Sequence, residues 1–218
     1  MALTRTQTKH FYDRFGSLMD TQAFYEDASL DVLVAHSAFD RATTVFELGC
    51  GTGRLAVRLL ERELPLAASY LGTDLSDTMV RLARRHLAPW QGRARVTPSD
   101  GAMRFPLPAS SASHVVSTYV FDLLPEDDVR AAVAEARRVL APGGWLCLAS
   151  MTRGNTAASR MLCALWEGLY RVYAPMVGGC HPIALDAFLD AAQWRIDYQT
   201  VITQFGVASQ ILIARPRA

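Results

Sequence analysis

A β-branched run that breaks into glycines and then into a helical stripe leaves a chain few choices of architecture. Thr44 to Leu48 is such a run, ending in Gly49-Cys50-Gly51-Thr52-Gly53, after which Leu55, Ala56, Leu59 and Leu60 recur at helical spacing. The alternation then repeats. Ser69 to Thr73 reads as a second strand running into Asp74, and Ser76 is an N-cap residue for a helix through about His86. Ala94 to Thr97 reads as a third strand stopped by Pro98, and Val115 to Tyr119 as a fourth, followed by a helix over Glu126 to Leu140. Pro142-Gly143-Gly144 is expected to end that helix and turn the chain into a fifth strand, Trp145 to Ala149. Five β-then-α units imply an α/β fold, a parallel sheet with helices on both faces.

The flanks differ. Residues 1–40 read as a helical preface, with Phe11, Phe15, Leu18 and Met19, then Leu30, Leu33 and Val34, at three- and four-residue spacing. Residues 151–183 read as an insertion whose amphipathic helix, Ala157 to Tyr173, carries Met161, Leu162, Leu165, Trp166, Leu169 and Tyr173 on or near one face. One more short helix is expected over Leu185 to Ala192. Arg195 to Gln204 and Ser209 to Ala214, joined across Phe205-Gly206-Val207-Ala208, should pair as an antiparallel hairpin. With no linker or repeat, residues 1–218 are expected to form one domain.

Composition narrows the classes. Half of the 218 residues are hydrophobic, enough for a substantial core, and 22 basic against 21 acidic residues give a net charge of +1. Near-neutrality argues against a dedicated nucleic-acid binder and against an anionic-membrane partner. The four cysteines, Cys50, Cys147, Cys163 and Cys180, form no CxxC pair and have no histidine at ligand spacing, so no metal is expected. The N-terminus lacks an apolar core with a cleavage site, and Met161 to Gly179 is broken by Glu167, Arg171 and Pro175, so a cytoplasmic protein without a membrane span is expected. Lys9 is the only lysine, a bias that fits a GC-rich bacterial genome.

The glycine loop lies where an open α/β sheet binds ligands: glycines let the backbone approach a ligand closely, and the following helix offers unpaired N–H groups. Glycines here can also serve a tight turn alone, and Gly51, Gly53 and Ala56 satisfy the GxGxxG/A pattern of dinucleotide enzymes. Asp74, after the second strand, is placed to accept from both ribose hydroxyls of a nucleoside under either ligand reading. Asp100, after the third strand in Pro98-Ser99-Asp100-Gly101, can accept from an adenine amino group or simply hold a turn before glycine. Together the loop, Asp74 and Asp100 would follow one adenosine from end to end.

With these residues in view, the chain resembles the class I S-adenosylmethionine-dependent methyltransferases. The likeness runs through ELGCGTGRLA at 47–56, GTDLS at 72–76, SDG at 99–101, HVVSTYVFDLLP at 114–125 and RVLAPGGWLCLAS at 138–150. Within the family the general look is of the ubiquinone/menaquinone and phosphatidylethanolamine methyltransferases. His114 departs from the family, which often has Asp there, at the end of the strand far from the ligand. The resemblance implies a Rossmann-like seven-stranded sheet with an antiparallel last strand, and S-adenosylmethionine as cofactor. It sets the methionine part against Gly49, Cys50, Gly51 and Gly53, with Glu47 orienting the loop. Asp74 would hold the ribose, Leu75 and Met79 would pack near the adenine, and Asp100, Gly101 and Ala102 would read its edge. Thr118 and Tyr119 would line the opening toward which the methyl group points.

Methyl transfer from a sulfonium needs alignment in a dry pocket more than acid or base, so no catalytic residue is assigned. Asp122, His181 and Tyr119 are candidates for a base or a substrate contact, each with an ordinary alternative: a turn cap for Asp122, a loop histidine for His181. Aromatic residues of the preface and insertion, among them Phe11, Tyr12, Phe15, Phe24, Tyr25, Trp166, Tyr170 and Tyr173, fall where the family covers the opening, and they favour a small, partly apolar acceptor. Tyr12, Tyr25, Asp122, Trp166, Tyr170 and His181 are the expected acceptor-side residues. Two other functions stay open: a nicotinamide-dependent oxidoreductase, against which stands the lack of a Tyr-xxx-Lys pair, and a non-catalytic cofactor-binding protein.

Overall fold

The computed structural model describes residues 4–15, 23–154, 157–173 and 179–217. Seven strands form one sheet in the order β3-β2-β1-β4-β5-β7-β6. Central strand β1 (Thr44–Leu48) lies parallel to β2 (Ser69–Asp74) and β4 (Ala112–Thr118). Four of its five residues are buried, as expected of a strand covered on both faces. On one side β2 pairs with β3 (Ala94–Pro98), and on the other β4 pairs with β5 (Leu140–Met151), again in parallel. β7 (Val207–Pro216) then runs antiparallel between β5 and β6 (Trp194–Gln204).

Side chains alternate between two apolar layers. Val45, Cys147, Ile211 and Ile213 point into one, with Leu33, Leu55 and Leu59 from the helices; Phe46, Leu146, Leu148 and Leu212 point into the other, with Val129 and Val133. The helices are α1 (Arg5–Phe15), α2 (Ala23–His36), α3 (Arg54–Arg58, running on into a π turn at Leu59–Glu63), α4 (Asp77–His86), α5 (Glu126–Val139) and α6 (Ala157–Tyr173). α2 lies against β5, β6 and β7, α1 against α4, and α6 against β7. Among the described residues no helix is long and apolar enough to cross a membrane.

Several expected boundaries shift. Pro142-Gly143-Gly144 does not delay the fifth strand: Leu140 already pairs with Ala112, and the register slips before His114 meets Trp145, so the glycines sit inside β5. Four strands, not five, are followed by a helix, since residues 99–111 between β3 and β4 hold none. The expected helix over Leu185 to Ala192 is a 3-10 turn at Leu185–Phe188. β4 ends at Thr118, and Tyr119 follows it with φ +55°. In the hairpin the connection shrinks to Phe205 and Gly206, both left-handed, because Val207 and Ala208 already pair with Gln204 and Thr203. The side chains of Phe15, Phe24, Tyr25, Leu162, Leu169 and Tyr173 lie outside the described part, as do residues 174–178.

Candidate functional site

The strand order reverses between β1 and β4, and the C-terminal ends of such neighbours leave a crevice in any open α/β sheet. The glycine loop closes its floor. Gly49 and Cys50 both donate backbone N–H bonds to the Thr73 carbonyl, at 2.8 and 2.9 Å, which hooks the loop over the end of β2. Gly49 and Gly51 adopt φ of +72° and +52°, but a side chain would meet different surroundings at each. A Cβ on Gly49 would lie 2.3 Å from Val120 Cγ2, whereas one on Gly51 would meet nothing within 4 Å. The Gly51 backbone thus faces open space.

Asp74 ties the loop to the next helix. Its Oδ2 accepts the Gly51 N–H at 2.9 Å and its Oδ1 the Ser76 N–H at 2.8 Å, while burial pushes the carboxyl up to about 6 against those hydrogen bonds. Ser76 caps α4 as its sequence predicts, accepting from Met79 N–H. Beneath the loop, Glu47 is buried and accepts the Tyr70 hydroxyl at 2.5 Å. Burial, with Asp74 nearby, pushes Glu47 up to about 7 even though the Tyr70 bond opposes it.

Above the loop lies a cavity of about 740 Å³. Of the residues expected at a cofactor, Glu47, Gly49, Cys50, Gly51, Asp74, Leu75, Met79, Gly101, Thr118 and Tyr119 line it; of those expected at an acceptor, Tyr12, Asp122 and Trp166 do. Gly53, Asp100, Ala102, Tyr170 and His181 are not in its wall. Gly53 caps α3 with a virtual Cβ 3.2 Å from Ala83, which makes it a packing glycine. Asp100 is exposed, and its Oδ1 accepts the Ala102 N–H at 2.8 Å, a turn of the kind Asp makes before glycine. Tyr170 and His181 face each other with ring centres 5.2 Å apart. The side chain of Tyr25 is outside the described part.

Several wall residues, Phe11 and Tyr12 apart, carry no signal in the sequence. Thr4, Arg5, Thr8, Phe11 and Tyr12 place α1 along the cavity, and Glu26 and Arg54 join it from α2 and α3. α1 is pinned by polar contacts: Asp13 accepts the Ser76 hydroxyl at 2.7 Å and the Thr78 N–H at 3.2 Å, Lys9 pairs with Asp77 at 2.6 Å, and Arg5 pairs with Asp128 at 3.2 Å. A carboxylate at the α4 N-terminus also meets the positive end of the helix dipole. On the opposite side Trp166 Nε1 donates to the Cys180 carbonyl at 3.0 Å, and the His181 N–H to the Asp122 carbonyl at 2.9 Å. These bonds join α6 to the turn after β4.

Residues 45–144 match the family model described as a methyltransferase domain. An uncharacterized methyltransferase of Geobacillus kaustophilus is 32% identical over 68% of this chain and 66% of its own length. The demethylmenaquinone methyltransferase of Thermus thermophilus is 29% identical over 79% and 82%. Among solved structures, the N-methyltransferase NodS of Bradyrhizobium japonicum, in complex with S-adenosylhomocysteine, superposes with a TM-score of 0.68 over 88% of each chain at 16% identity, a likeness of fold. The chain belongs to the class I S-adenosylmethionine-dependent methyltransferases. It spans between 43% and 66% of the length of four of the curated relatives it matches.

Proposed function

We propose that the protein transfers the methyl group of S-adenosylmethionine to a small, partly apolar acceptor. The observation that carries this is the junction of the glycine loop and β2: Gly51 donates to Asp74 at the switch point of the sheet while its backbone borders the cavity. The donor set fits the cofactor. Each Asp74 oxygen already accepts one backbone bond and retains acceptor capacity for a ribose hydroxyl. The open space over Gly51 suits the methionine part, beside Gly49 and Cys50, with Gly53 packed behind them at the start of α3, and Glu47 stiffens the loop from below through Tyr70. Leu75 and Met79 offer an apolar wall for the adenine, and Gly101 would read its edge, with Asp100 and Ala102 holding the turn that carries it. β7 inserted antiparallel between β5 and β6 departs from the all-parallel order of dinucleotide enzymes, which disfavours the oxidoreductase reading.

When bound, the cofactor supplies an electrophilic methyl group on a sulfonium. The chain's own part is to bind, orient and exclude water, which lowers the barrier by prepaid alignment. Thr118 and Tyr119 border the opening at the end of β4, with Tyr119 held by a 2.9 Å bond to Ser209. Tyr12, Asp122 and Trp166 form the acceptor wall beyond them, and Tyr25, Tyr170 and His181 would support it. α1 lying along the cavity favours a compact acceptor over a polymer. The test is transfer of labelled methyl into amines, phenols, quinols and lipids, set against RNA, DNA and protein. Labelling of a small molecule is expected. Labelling of a macromolecule alone, or full activity after removal of residues 1–15, would contradict the enclosed site.

A further inference from the structure

Asp122 is 1% exposed, sits in the 3-10 turn Phe121–Leu123 and belongs to the cavity wall, yet its Oδ1 has no hydrogen-bond partner among the described residues. A buried carboxyl oxygen without a donor is costly, and native structures normally satisfy such atoms. The two arginines in the wall are already committed: Arg5 to Asp128, and Arg54 to both Glu26 and Asp27. Glu26 lines the same cavity. This end of the site therefore carries more negative charge than positive, and it is walled by the rings of Tyr12, Tyr119 and Trp166. Such a site repels a carboxylate or phosphate. It suits an organic cation, whose charge is met by the carboxylates and whose carbon skeleton lies against the rings.

Resting on the methyl-transfer reading above, we propose that the acceptor is an amine, bound as its ammonium against Asp122 with Glu26 reinforcing the charge, and that Asp122 takes the proton that must leave before nitrogen can attack. An ammonium has no lone pair. The N–H bond breaks with its proton passing to Asp122 Oδ1, the freed lone pair forms the N–C bond, and the electron pair of the breaking C–S bond stays on sulfur. The product leaves as the N-methylated ammonium, and Asp122 returns its proton to water. Burial, reinforced by the charge of Glu26 and opposed by hydrogen bonds to its own and the Met151 backbone and to Ser150, sets the Asp122 carboxyl at about 7, where it can exchange a proton near neutral pH. The titratable groups facing it are Glu26 from α2, Tyr119 after β4, Cys180, whose thiol is bonded by Tyr12 of α1, and His181, which touches the Asp122 backbone and whose imidazole is kept toward the neutral form by burial.

The test uses the full chain with labelled S-adenosylmethionine and matched probes: phenethylamine and tryptamine against 4-ethylphenol and 3-phenylpropionate. Titration with S-adenosylhomocysteine is run alongside as a check of the cofactor site. The amines are expected to be labelled at least tenfold faster than the phenol or the carboxylate. Asp122→Asn should lower kcat for amines at least tenfold and flatten the pH profile near 7, with affinity for S-adenosylhomocysteine within about twofold; Asp122→Glu should recover part of the rate. Preferential labelling of the phenol or carboxylate overturns the proposal, as does a fully active Asp122→Asn variant. If S-adenosylhomocysteine binds but no amine is labelled or raises the Tm of that complex, the amine assignment fails while the cofactor site stands. If S-adenosylhomocysteine does not bind, both fail.

Discussion

Replacing Gly49 and Gly51 by alanine separates two roles that look identical in the sequence. Both sit at positive φ, so each substitution costs about 1–2 kcal/mol in backbone strain. At Gly49 the new methyl also runs into Val120, 2.3 Å away, and the variant should lose clearly more thermal stability than that strain alone. At Gly51 it enters open cavity, so stability should fall only by the strain while affinity for S-adenosylhomocysteine drops at least tenfold. Thermal melts and calorimetry on the two variants check this, and equal effects on both readouts would contradict it. The glycines, Asp74 and Ser76 were legible because each acts within a few residues of a strand end. Glu26, Arg54 and Asp13 were not: Asp13 meets Ser76 across 63 residues of chain, and nothing local encodes that meeting.

Among elements, α1 is tied by polar bonds to the start of α4. Asp13→Ala removes the acceptor for Ser76 and Thr78 and should cost about 1 kcal/mol. Because α1 is held from outside the core, that loss should appear as faster tryptic cleavage at Lys9 and Arg14 more than as a lower Tm. Cleavage at the wild-type rate would show that α1 is held by other contacts. The pattern of strands and helices was readable from periodicity, and the hairpin from the nearness of its two runs. Pro142-Gly143-Gly144 was misplaced as a stop because local propensity cannot show that Leu140 already has a partner in Ala112, 28 positions away in the sheet.

For the molecule as a whole, three buried carboxyls set the pH response. Glu47 and Asp122 are held at about 7 and Asp74 at about 6, all above the ordinary carboxylate range near 4. A carboxyl raised on folding contributes stability that is complete below about pH 4 and is lost as pH rises through its folded value. These groups therefore pull stability down between about pH 4 and 7, while buried His114 and His181, lowered on folding, pull it up over part of that range, and Asp122→Asn should lessen the downward pull. Denaturant melts across the range measure it, and a wild-type slope in Asp122→Asn would show that its carboxyl is not raised. The seven-stranded topology was legible only through family likeness for the insertion of β7, since a hairpin in sequence does not say which of its strands pairs with β5.

Calorimetric titration of the protein with S-adenosylhomocysteine and, separately, with NADH tests the account most directly. One site for S-adenosylhomocysteine is expected, adding roughly 2.7 kcal/mol of stability at about 100 times its Kd. Asp74→Ala should weaken it by on the order of 1–3 kcal/mol in a chain that still folds, and NADH should give no binding heat. Binding of NADH without S-adenosylhomocysteine, or unchanged affinity in folded Asp74→Ala, would contradict the assignment of the glycine loop and Asp74 to the cofactor.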